Sequence, residues 1–357
     1  MTLPVAHPLT GVRVADLGDA AECARIDAMV GAHAGGTPFH LTGWSRAVQR
    51  GCGQHARYLI AEDAAGGLKG VLPLTELRSA LFGNALVSVG FGVGGGIVAE
   101  NGAVTEALAR GAWELAQKLG CASVELRGGS LPGDEWPRSD GVYAGFARAL
   151  AADDEAELLA IPRKQRAEVR RAQGFDLIVE IGTTRRDRDA HYRVYAESVR
   201  NLGTPVFPRA LFDAVLDDFG PAADILTVRH RGRAIASVLS LYVDGTVMPY
   251  WGGGTAEARR WRANDLMYYA LMRHARARGC TRFDFGRSKV GTGAFAFKKN
   301  WGFVPEPLNY ATRTADGATP RSVNPLDPRY RLKIALWQRL PLALANRIGP
   351  YIARGLG

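Results

Sequence analysis

The 357-residue sequence predicts an α/β protein (α+β in its order of elements) that is built from two related halves. In each half a glycine triplet, Gly94–Gly96 or Gly252–Gly254, precedes a helical pattern, a Gly-Cys pair and an apolar strand. Upstream, residues 58–74 resemble residues 225–241, because both have the pattern of a hairpin with a glycine turn. A repeat of this kind indicates a duplicated fold with mixed sheets flanked by helices.

The first half, predicted to span residues 1–150, has helical patterns at 19–30, 41–50 and 103–118 and a strand at 122–127. The loop 88–96 consists mostly of glycine and small residues, which allow another group to approach the backbone closely. This loop carries no basic residue, in contrast to the matching place in the second half. Residues 128–143, with two prolines and a Gly-Asp turn, are predicted to form a surface loop.

Residues 151–173 are predicted to form a connecting segment with a basic helix. Acidic residues at 153–157 suit the first turn of a helix, where they oppose the helix dipole. The cations of the following helix are Arg163, Lys164, Arg166, Arg170 and Arg171. Positions 163, 166 and 170 share one helical face. This face is either solvated or directed at phosphate groups, such as those of a tRNA.

The second half, predicted to span residues 174–318, contains the most informative stretch. A helix at 187–199 is followed by the breakers of residues 200–205, and a strand at 246–251 by the glycine triplet. The helix predicted over 256–278 begins with Arg259, Arg260 and Arg262. A strand at 282–286, a basic loop at 287–293 and a short helix at 294–301 follow, with Gly302 in the place that a helix C-cap favours.

This order of strand, glycine-arginine turn, helix, strand and basic loop resembles the donor half of a GNAT-type acyltransferase. Phe297-Lys298, followed by Trp301-Gly302-Phe303, resembles the FK-containing end of FemAB-type aminoacyltransferases. Longer segments look like the FemAB-like proteins that accompany exosortase (PEP-CTERM) export systems: VRNLGTPVF at 199–207, PYWGGGT at 249–255, FDFGRSKVGTG at 283–293 and VNPLDPRYRL at 323–332. The resemblance covers nearly the whole chain and implies two tandem GNAT-like domains.

The resemblance implies amide-bond formation, in which aminoacyl-tRNA donates to an amine of a cell-envelope or exported-polymer precursor. One alternative keeps the fold and takes acyl-CoA as donor, with a membrane lipid or sugar amine as acceptor. Another is a non-catalytic RNA- or membrane-binding accessory protein of an export system. The four cysteines and seven histidines have no metal-motif spacing, so no metal is expected.

No nucleophile motif is visible, which fits direct attack by an amine. That reaction needs aligned reactants, a cation or donor for the oxyanion and a proton acceptor. The resemblance assigns Lys298 as the cation, projecting toward the donor carbonyl, so that its replacement leaves stability nearly unchanged. Asp284, on the polar face of its strand, is expected to be the base or to hold Arg287.

The remaining site residues fall into two groups. The donor is expected to contact Arg259, Arg260, Arg262, Asn264, Arg287, Lys289, Gly291, Gly293, Phe297 and Lys299. The acceptor is expected to contact Trp44, Gly94, Gly95, Gly96, Ser198, Arg200, Asn201, Thr204 and Trp251. The first half therefore shapes the acceptor site and does not bind the donor. The alternative to donor binding is that the basic loop at 287–293 only caps a helix and adds to solubility.

Charge and hydropathy bear on location. The net charge is +10, which favours a polyanionic partner such as a phosphorylated cosubstrate, tRNA or an anionic membrane. The sequence has no run of 18 apolar residues, and its N-terminus lacks the pattern of a secretory signal, so a cytoplasmic location is expected.

The predicted tail, residues 319–357, has six basic residues after Asp327 and no acidic residue, with large apolar residues between them. Such a segment lies on an anionic membrane surface, here the inner face of the cell membrane, or packs back on its own domain.

Overall fold

The computed structural model describes residues 9–79, 82–318 and 328–357, and the chain divides into two compact units. The first unit holds the chain up to Asp140, the segment that starts at Leu308, and Arg354–Gly357. The second unit holds Gly141–Pro307 and the C-terminal segment that ends at Ala353. Residues 319–327, which belong to the predicted tail, lie outside the described residues.

The first half of the sequence alternates strands and helices. Its strands are β1 (Leu9–Val14), β2 (His55–Asp63), β3 (Leu68–Leu77), β4 (Ala85–Ser88), β5 (Val98–Ala99), β6 (Ser123–Arg127) and β7 (Arg138–Ala149). Its helices are α1 (Ala20–Ala32), α2 (Thr42–Cys52) and α3 (Gly102–Lys118). Asp19 and Asn101 cap α1 and α3 by accepting backbone hydrogen bonds, as short polar side chains do at helix starts. The predicted surface loop at 128–143 is too long, because its last residues belong to β7.

The second half begins with two helices and then alternates strands and helices. The helices are α4 (Asp154–Ala160), α5 (Arg163–Gln173), α6 (Arg185–Asn201), α7 (Arg209–Phe219), α8 (Ala263–Ala277), α9 (Gly293–Asn300), α10 (Pro328–Arg339) and α11 (Leu342–Ala353). The strands are β8 (Leu177–Gly182), β9 (Ala223–His230), β10 (Arg233–Val243), β11 (Thr246–Gly254), β12 (Arg282–Asp284), β13 (Ser288–Lys289) and β14 (Pro305–Thr314).

Two predictions around β11 were wrong. The glycines Gly252–Gly254 do not form a turn, because they pair with Ala236–Val238 of β10 and so extend β11. The helix predicted over 256–278 is interrupted: residues 256–259 form a 3-10 turn, and Arg262 has a φ of 54° before α8 begins. A left-handed residue cannot continue an α-helix, so the α-helix starts only after it.

The strand pairing confirms the predicted duplication of the fold. In the first unit β2 pairs with β3 and β3 with β4 in antiparallel fashion, and β4 pairs with β6 in parallel. In the second unit β9, β10, β11 and β12 repeat this series of two antiparallel pairs and one parallel pair. In both, a helix (α3 or α8) lies between the two parallel strands in sequence, as the crossover between parallel strands requires.

Each unit completes its sheet with a strand from the other half of the sequence. In the first unit the strand order is β1-β2-β3-β4-β6-β14, and in the second it is β7-β12-β11-β10-β9-β8. β14 pairs with β6 through Tyr310–Thr314, and β7 pairs with β12 through Ala147–Ala149. The observed division therefore differs from the predicted boundary at residue 150, because pairing with β12 and β13 draws β7 into the second unit.

Each unit has its own apolar core. In the first unit α3 packs on the sheet through Leu108 and Ala112, which share a core with Leu72 and Leu126. In the second unit α8 packs on the sheet through Met267 and Leu271, which share a core with Val238 and Phe283. The helices are thus held by apolar residues at helical spacing, as the periodicity predicts.

The glycine loop before α3 is packed closely against other segments of the first unit. His40 Nε2 lies 2.9 Å from the carbonyl oxygen of Gly96, and Trp44 Nε1 donates to the carbonyl of Gly90 at 3.1 Å. A Cβ atom added at Gly96 would lie 1.7 Å from the carbonyl oxygen of Gly128. Glycine is therefore required at position 96 by the closeness of another backbone segment.

The C-terminal helices pack against α6 in the second unit. Ala345, Gly349 and Ala353 are buried, and Ile334 lies over Gly203. Gln338 donates to the carbonyl of Asn201 at 3.1 Å. Of the two predictions for the tail, packing on the domain is therefore observed for one face of these helices.

Replacing Gly96 by alanine is expected to lower the free energy of unfolding by about 2–3 kcal/mol, because a clash between backbone atoms cannot be relieved by a side-chain rotation. Urea denaturation followed by tryptophan fluorescence measures this change. Gly102→Ala is the matched control, since a Cβ atom there meets open space at the start of α3. Equal urea midpoints for the two variants would contradict the close packing of this loop at Gly96.

Candidate active site

The parallel strands β11 and β12 separate almost at once. They pair only through Thr246 with Arg282 and Val247 with Phe283, whereas the pairing of β12 with β7 on its other side continues to Asp284. β11 also carries an irregularity at Tyr250, since Leu239 faces Trp251 and Ser240 faces Pro249. The sheet of the second unit therefore opens beside residues 248–254. Openings between the carboxyl ends of parallel strands are common ligand sites.

The turn between β11 and α8 lies beside this opening in sequence and carries four of the predicted donor-binding residues. Arg262 forms an ion pair with Glu168 at 2.5 Å and donates to the carbonyl of Arg259 at 2.7 Å. Arg260 stacks over the ring of Trp261 at 4.9 Å. The buried Oδ1 of Asn264 has no hydrogen-bond partner within the described ranges. The three arginines therefore differ in role, and Arg262 is a structural residue.

Trp261 fixes this turn, and the sequence interpretation missed it. Its ring lies 4.1 Å from the ring of His230 and 5.2 Å from that of Phe175, and its Nε1 donates to Glu257 at 3.3 Å. The signal that the sequence offered was a tryptophan among three arginines. A large apolar ring in a charged turn has to pack against apolar residues from other segments.

Lys298 is buried, with 9% of its surface exposed. Its Nζ donates to the carbonyl oxygens of Gly286 and Arg287 at 3.0 and 2.9 Å. The rings of Phe146 and Phe285 lie 5.4 and 5.7 Å away. The expectation of a projecting surface lysine was therefore wrong, because the loop after β12 bends over α9 and uses this ammonium as its hydrogen-bond donor.

The pKa values of two neighbouring groups shift toward each other. Burial lowers the pKa of Lys298 to about 7, although the negative charge of Asp284 opposes this shift. Burial raises the pKa of Asp284, while a hydrogen bond from the backbone N–H of Gly286, at 2.8 Å, and the charges of Arg282 and Lys298 oppose the rise. An acid and a base with such shifts are typical of catalytic sites.

The basic loop is an ordered segment. Ser288 and Lys289 form β13 with Tyr143 and Ala144 of β7, and Arg287 stacks over the Tyr143 ring at 4.5 Å. Gly291 has a φ of 81°, and Gly293 begins α9 after the N-cap residue Thr292. Phe297 packs on Tyr268 and Phe285, and Lys299 is exposed beside Phe295. The predicted donor-binding residues of this loop and of α9 thus lie on either side of Lys298 in the sequence and help to hold it in place.

Several predicted acceptor-binding residues belong to the core. Trp44 and Gly96 are fully or nearly fully buried in the closely packed loop region of the first unit, together with Gly95, whereas Gly94 is half-buried. Trp251 is buried in the second unit against Phe207 and Phe212. The structure therefore gives Trp44, Gly95, Gly96 and Trp251 a packing role, because all four are buried.

The other predicted acceptor residues lie at the end of α6. Ser198 packs against Gly253, where a Cβ atom would meet the serine Oγ at 2.3 Å. Arg200 and Asn201 still belong to α6 and are joined to the C-terminal helices, since Arg200 donates to the carbonyl of Gln338 at 3.0 Å. The backbone N–H of Thr204 closes the helix end on Val199. The predicted acceptor wall is therefore partly occupied by the tail.

Sequence and fold comparisons identify this region. Residues 162–299 match the family model of the acetyltransferase (GNAT) domain. This segment is therefore similar in sequence to GNAT acyltransferase domains. It contains the opening, the arginine turn, Asp284 and Lys298. No curated protein matches this sequence.

Solved structures show that the GNAT fold occurs twice in the chain. FemX is 14% identical, with a TM-score of 0.62 over 90% of this chain and 99% of FemX. A tandem GNAT protein from the clavulanic acid biosynthesis pathway is 14% identical, with a TM-score of 0.54 over 86% of this chain and 99% of that one. The C-terminal DUF2156 domain of a candidate lysylphosphatidylglycerol synthetase from Agrobacterium fabrum is 14% identical, with a TM-score of 0.55 over 83% and 93%. At such identities the likeness shows the fold.

Two further observations concern the described residues alone. Among them no three His, Cys, Asp or Glu side chains come together as a metal site. No helix within 9–79, 82–318 or 328–357 has the length and hydropathy needed to cross a membrane.

The pKa of Lys298 predicts a pH effect on stability. Its folded value of about 7 lies below the ordinary value of 10.5, so the unfolded chain binds more protons between these limits. The free energy of unfolding of the wild type, relative to Lys298→Met, is therefore expected to rise from about pH 7 to about pH 10. Urea denaturation across this range measures the difference. The exposed Lys299, replaced by methionine, provides the control, and a flat difference for Lys298→Met would mean that the lysine stays charged.

Proposed function

We propose that the protein forms amide bonds by transferring an acyl or aminoacyl group to an amine of a cell-envelope or exported-polymer precursor. The observation that carries this proposal is the pair Asp284 and Lys298, which follows the point where β12 leaves β11. The pKa of the carboxyl is raised and that of the ammonium is lowered, so both groups exchange protons more readily near neutral pH than ordinary side chains do.

The proposed reaction needs no covalent enzyme intermediate. The amine nitrogen attacks the acyl carbonyl carbon, a C–N bond forms, and the ester or thioester bond to the donor breaks. Asp284 accepts the proton that the amine releases, and the leaving hydroxyl or thiol takes up a proton. Two hydrogens of the Lys298 ammonium bind the carbonyls of Gly286 and Arg287, which leaves the third for the developing oxyanion.

The N-terminus of α8 is suited to bind a phosphate group of the donor. The backbone N–H groups of Ala263 and Asn264 are in the first turn of a 15-residue helix, where such groups bind anions. Arg259, which has no acidic partner in the described part of the chain, adds a cation. Aminoacyl-tRNA and acyl-CoA both carry phosphates, so this turn accepts either. The FK resemblance supports aminoacyl-tRNA, and the match to the acetyltransferase model supports acyl-CoA as the second candidate.

We also propose that the C-terminal helices place the protein on an anionic membrane surface, at the inner face of the cell membrane. Large apolar side chains point away from the second unit, with Leu332 71% and Tyr351 70% exposed, whereas the small residues Ala345 and Gly349 are buried. In a helix at a water-exposed surface the large apolar side chains are buried and the exposed face is polar, so the arrangement seen here is the opposite. The described cations of the segment are Lys333, Arg339, Arg347 and Arg354, and they complement anionic headgroups. The motif resemblance further supports a role beside an exosortase (PEP-CTERM) export system.

Lys298→Met is expected to lower the transfer rate roughly 10²–10³-fold, as loss of a single oxyanion contact does. The assay follows the label from charged tRNA, or from acetyl-CoA, into an amine-containing envelope-precursor extract. Lys299→Met, which removes the neighbouring exposed charge, is expected to keep the wild-type rate. Circular dichroism and urea midpoints verify that both variants are folded. Full activity of folded Lys298→Met with the donor that binds would remove this lysine from the chemistry.

The membrane proposal predicts that Leu336→Ser, Leu344→Ser and Ile348→Ser together weaken binding to phosphatidylglycerol vesicles by at least about tenfold. These side chains are exposed, so the packing of the tail on α6 is retained. Vesicle sedimentation measures binding, and phosphatidylcholine vesicles report the charge dependence. The control replaces the exposed Leu159, Ile178 and Val304 by serine. Equal vesicle binding by the two triple variants would contradict the proposal.

A further inference from the structure

The helix α5 carries four cations that the rest of the described chain does not neutralise. Arg163, Lys164 and Arg170 are exposed and Arg166 is half-buried, and none of the four makes an ion pair or side-chain hydrogen bond with another described residue. The neighbouring Arg171, in contrast, pairs with Glu168. Cations that have no acidic partner repel one another, and a bound anion relieves this repulsion.

Three of these cations lie side by side on the surface. Arg163, Arg166 and Arg170, with Ala167 between them, border an open surface depression of about 440 Å³. Their spacing of three and four residues places them on one face of the helix. Seven residues of α-helix extend about 10 Å, so the cations form a row and not a single point of charge.

The opposite side of α5 is joined to the donor turn of the proposed active site. Glu168 holds Arg262 at 2.5 Å, immediately before α8. Gln165 donates to Asp265, in the first turn of α8, at 2.5 Å. These two bonds fix α5 against the turn that is expected to hold the donor. A ligand that reaches both the arginine row and that turn must therefore extend around the helix, whose diameter is about 10 Å.

We infer that the α5 face binds the phosphodiester backbone of an RNA, whose acylated end lies at the opening between β11 and β12. The part of this inference that makes the RNA the acyl donor rests on the proposed function. A row of unpaired arginines matches a chain of phosphates, each of which accepts hydrogen bonds from a guanidinium. Acyl-CoA carries its three phosphates on a single nucleotide, so it offers a row of cations fewer contacts than the phosphate chain of an RNA does.

A membrane is the less suitable partner for this face. The exposed positions of α5 hold no large apolar side chain, and Val169 is buried in the core of the second unit. Surfaces that lie on a bilayer combine cations with apolar residues, as α10 and α11 do. The charge of α5 without such residues favours a water-exposed polyanion.

The test uses the full chain with Arg163, Arg166 and Arg170 replaced by glutamine. Fluorescence anisotropy with a labelled oligouridine of about 12 nucleotides, and with deacylated tRNA, measures the dissociation constant at several salt concentrations. The variant is expected to bind at least about tenfold more weakly. The slope of log K against log salt is expected to fall in magnitude by about 2, which is the loss of three phosphate contacts.

The control variant replaces the exposed Arg110, Lys118 and Arg138 of the first unit by glutamine, which removes the same charge from another surface. It is expected to keep the wild-type dissociation constant and salt slope. An equal loss of RNA binding in both variants would overturn the inference, since net charge would then explain it. Absence of RNA binding by the wild type, or loss only of binding to phosphatidylglycerol vesicles in the α5 variant, would also overturn it.

These measurements are independent of the transfer assay. If Lys298→Met retains full transfer while the α5 variant loses RNA binding, the proposed chemistry fails and the RNA surface stands. If Lys298→Met loses transfer while the α5 variant binds RNA as the wild type does, the RNA surface fails and the proposed chemistry stands.

Discussion

The hydrogen bonds from the buried Lys298 ammonium hold the segment on which the site of the second unit depends. After two residues of parallel pairing, β12 leaves β11, and its continuation no longer has a strand partner on that side. The carbonyls of Gly286 and Arg287 then lie near aromatic rings, where an unpaired carbonyl costs about 1–3 kcal/mol. Lys298 satisfies both. The same burial lowers its pKa to about 7, so one interaction both shapes the opening and alters the proton affinity there.

The first unit has the same fold, but its two parallel strands do not separate to form such an opening. β4 and β6 remain paired through three residues, Leu86–Ser88 with Val124–Leu126. The glycine loop that follows β4 is closed by His40, Trp44 and the backbone of Gly128. Burial lowers the pKa of His40 to about 4, which keeps the ring neutral and suited to structural hydrogen bonds. Duplication therefore provided two scaffolds, of which the second unit has the separated strands and the titratable pair.

The positive charge of the chain serves two purposes. Many arginines are structural, as shown by Arg148 with the buried Glu157 and Arg229 with Glu180 at 2.6 Å. Such pairs fix elements within a unit. Four of the five cations of α5 have no such partners among the described residues, and α5 itself is bonded to the donor turn. The net charge of +10 thus includes a local excess on one helix, and local excess is what determines affinity for a polyanion.

The sequence alone determined the duplication, the fold class and most helices, because periodicity, capping residues and glycine spacing are local properties. It also drew attention to Asp284 and the arginine face of α5, and the FK resemblance drew attention to Lys298. It did not determine which side chains are buried. Trp44, Trp251 and Lys298 lie in the interior because residues far away in sequence surround them: Gly90, Phe212, and Phe146 with Gly286. Likewise, the tail meets Arg200 and Asn201 only after folding brings segments more than 130 residues apart together. Burial, and with it the pKa of a lysine, depends on such long-range packing, so only the tertiary structure decided it.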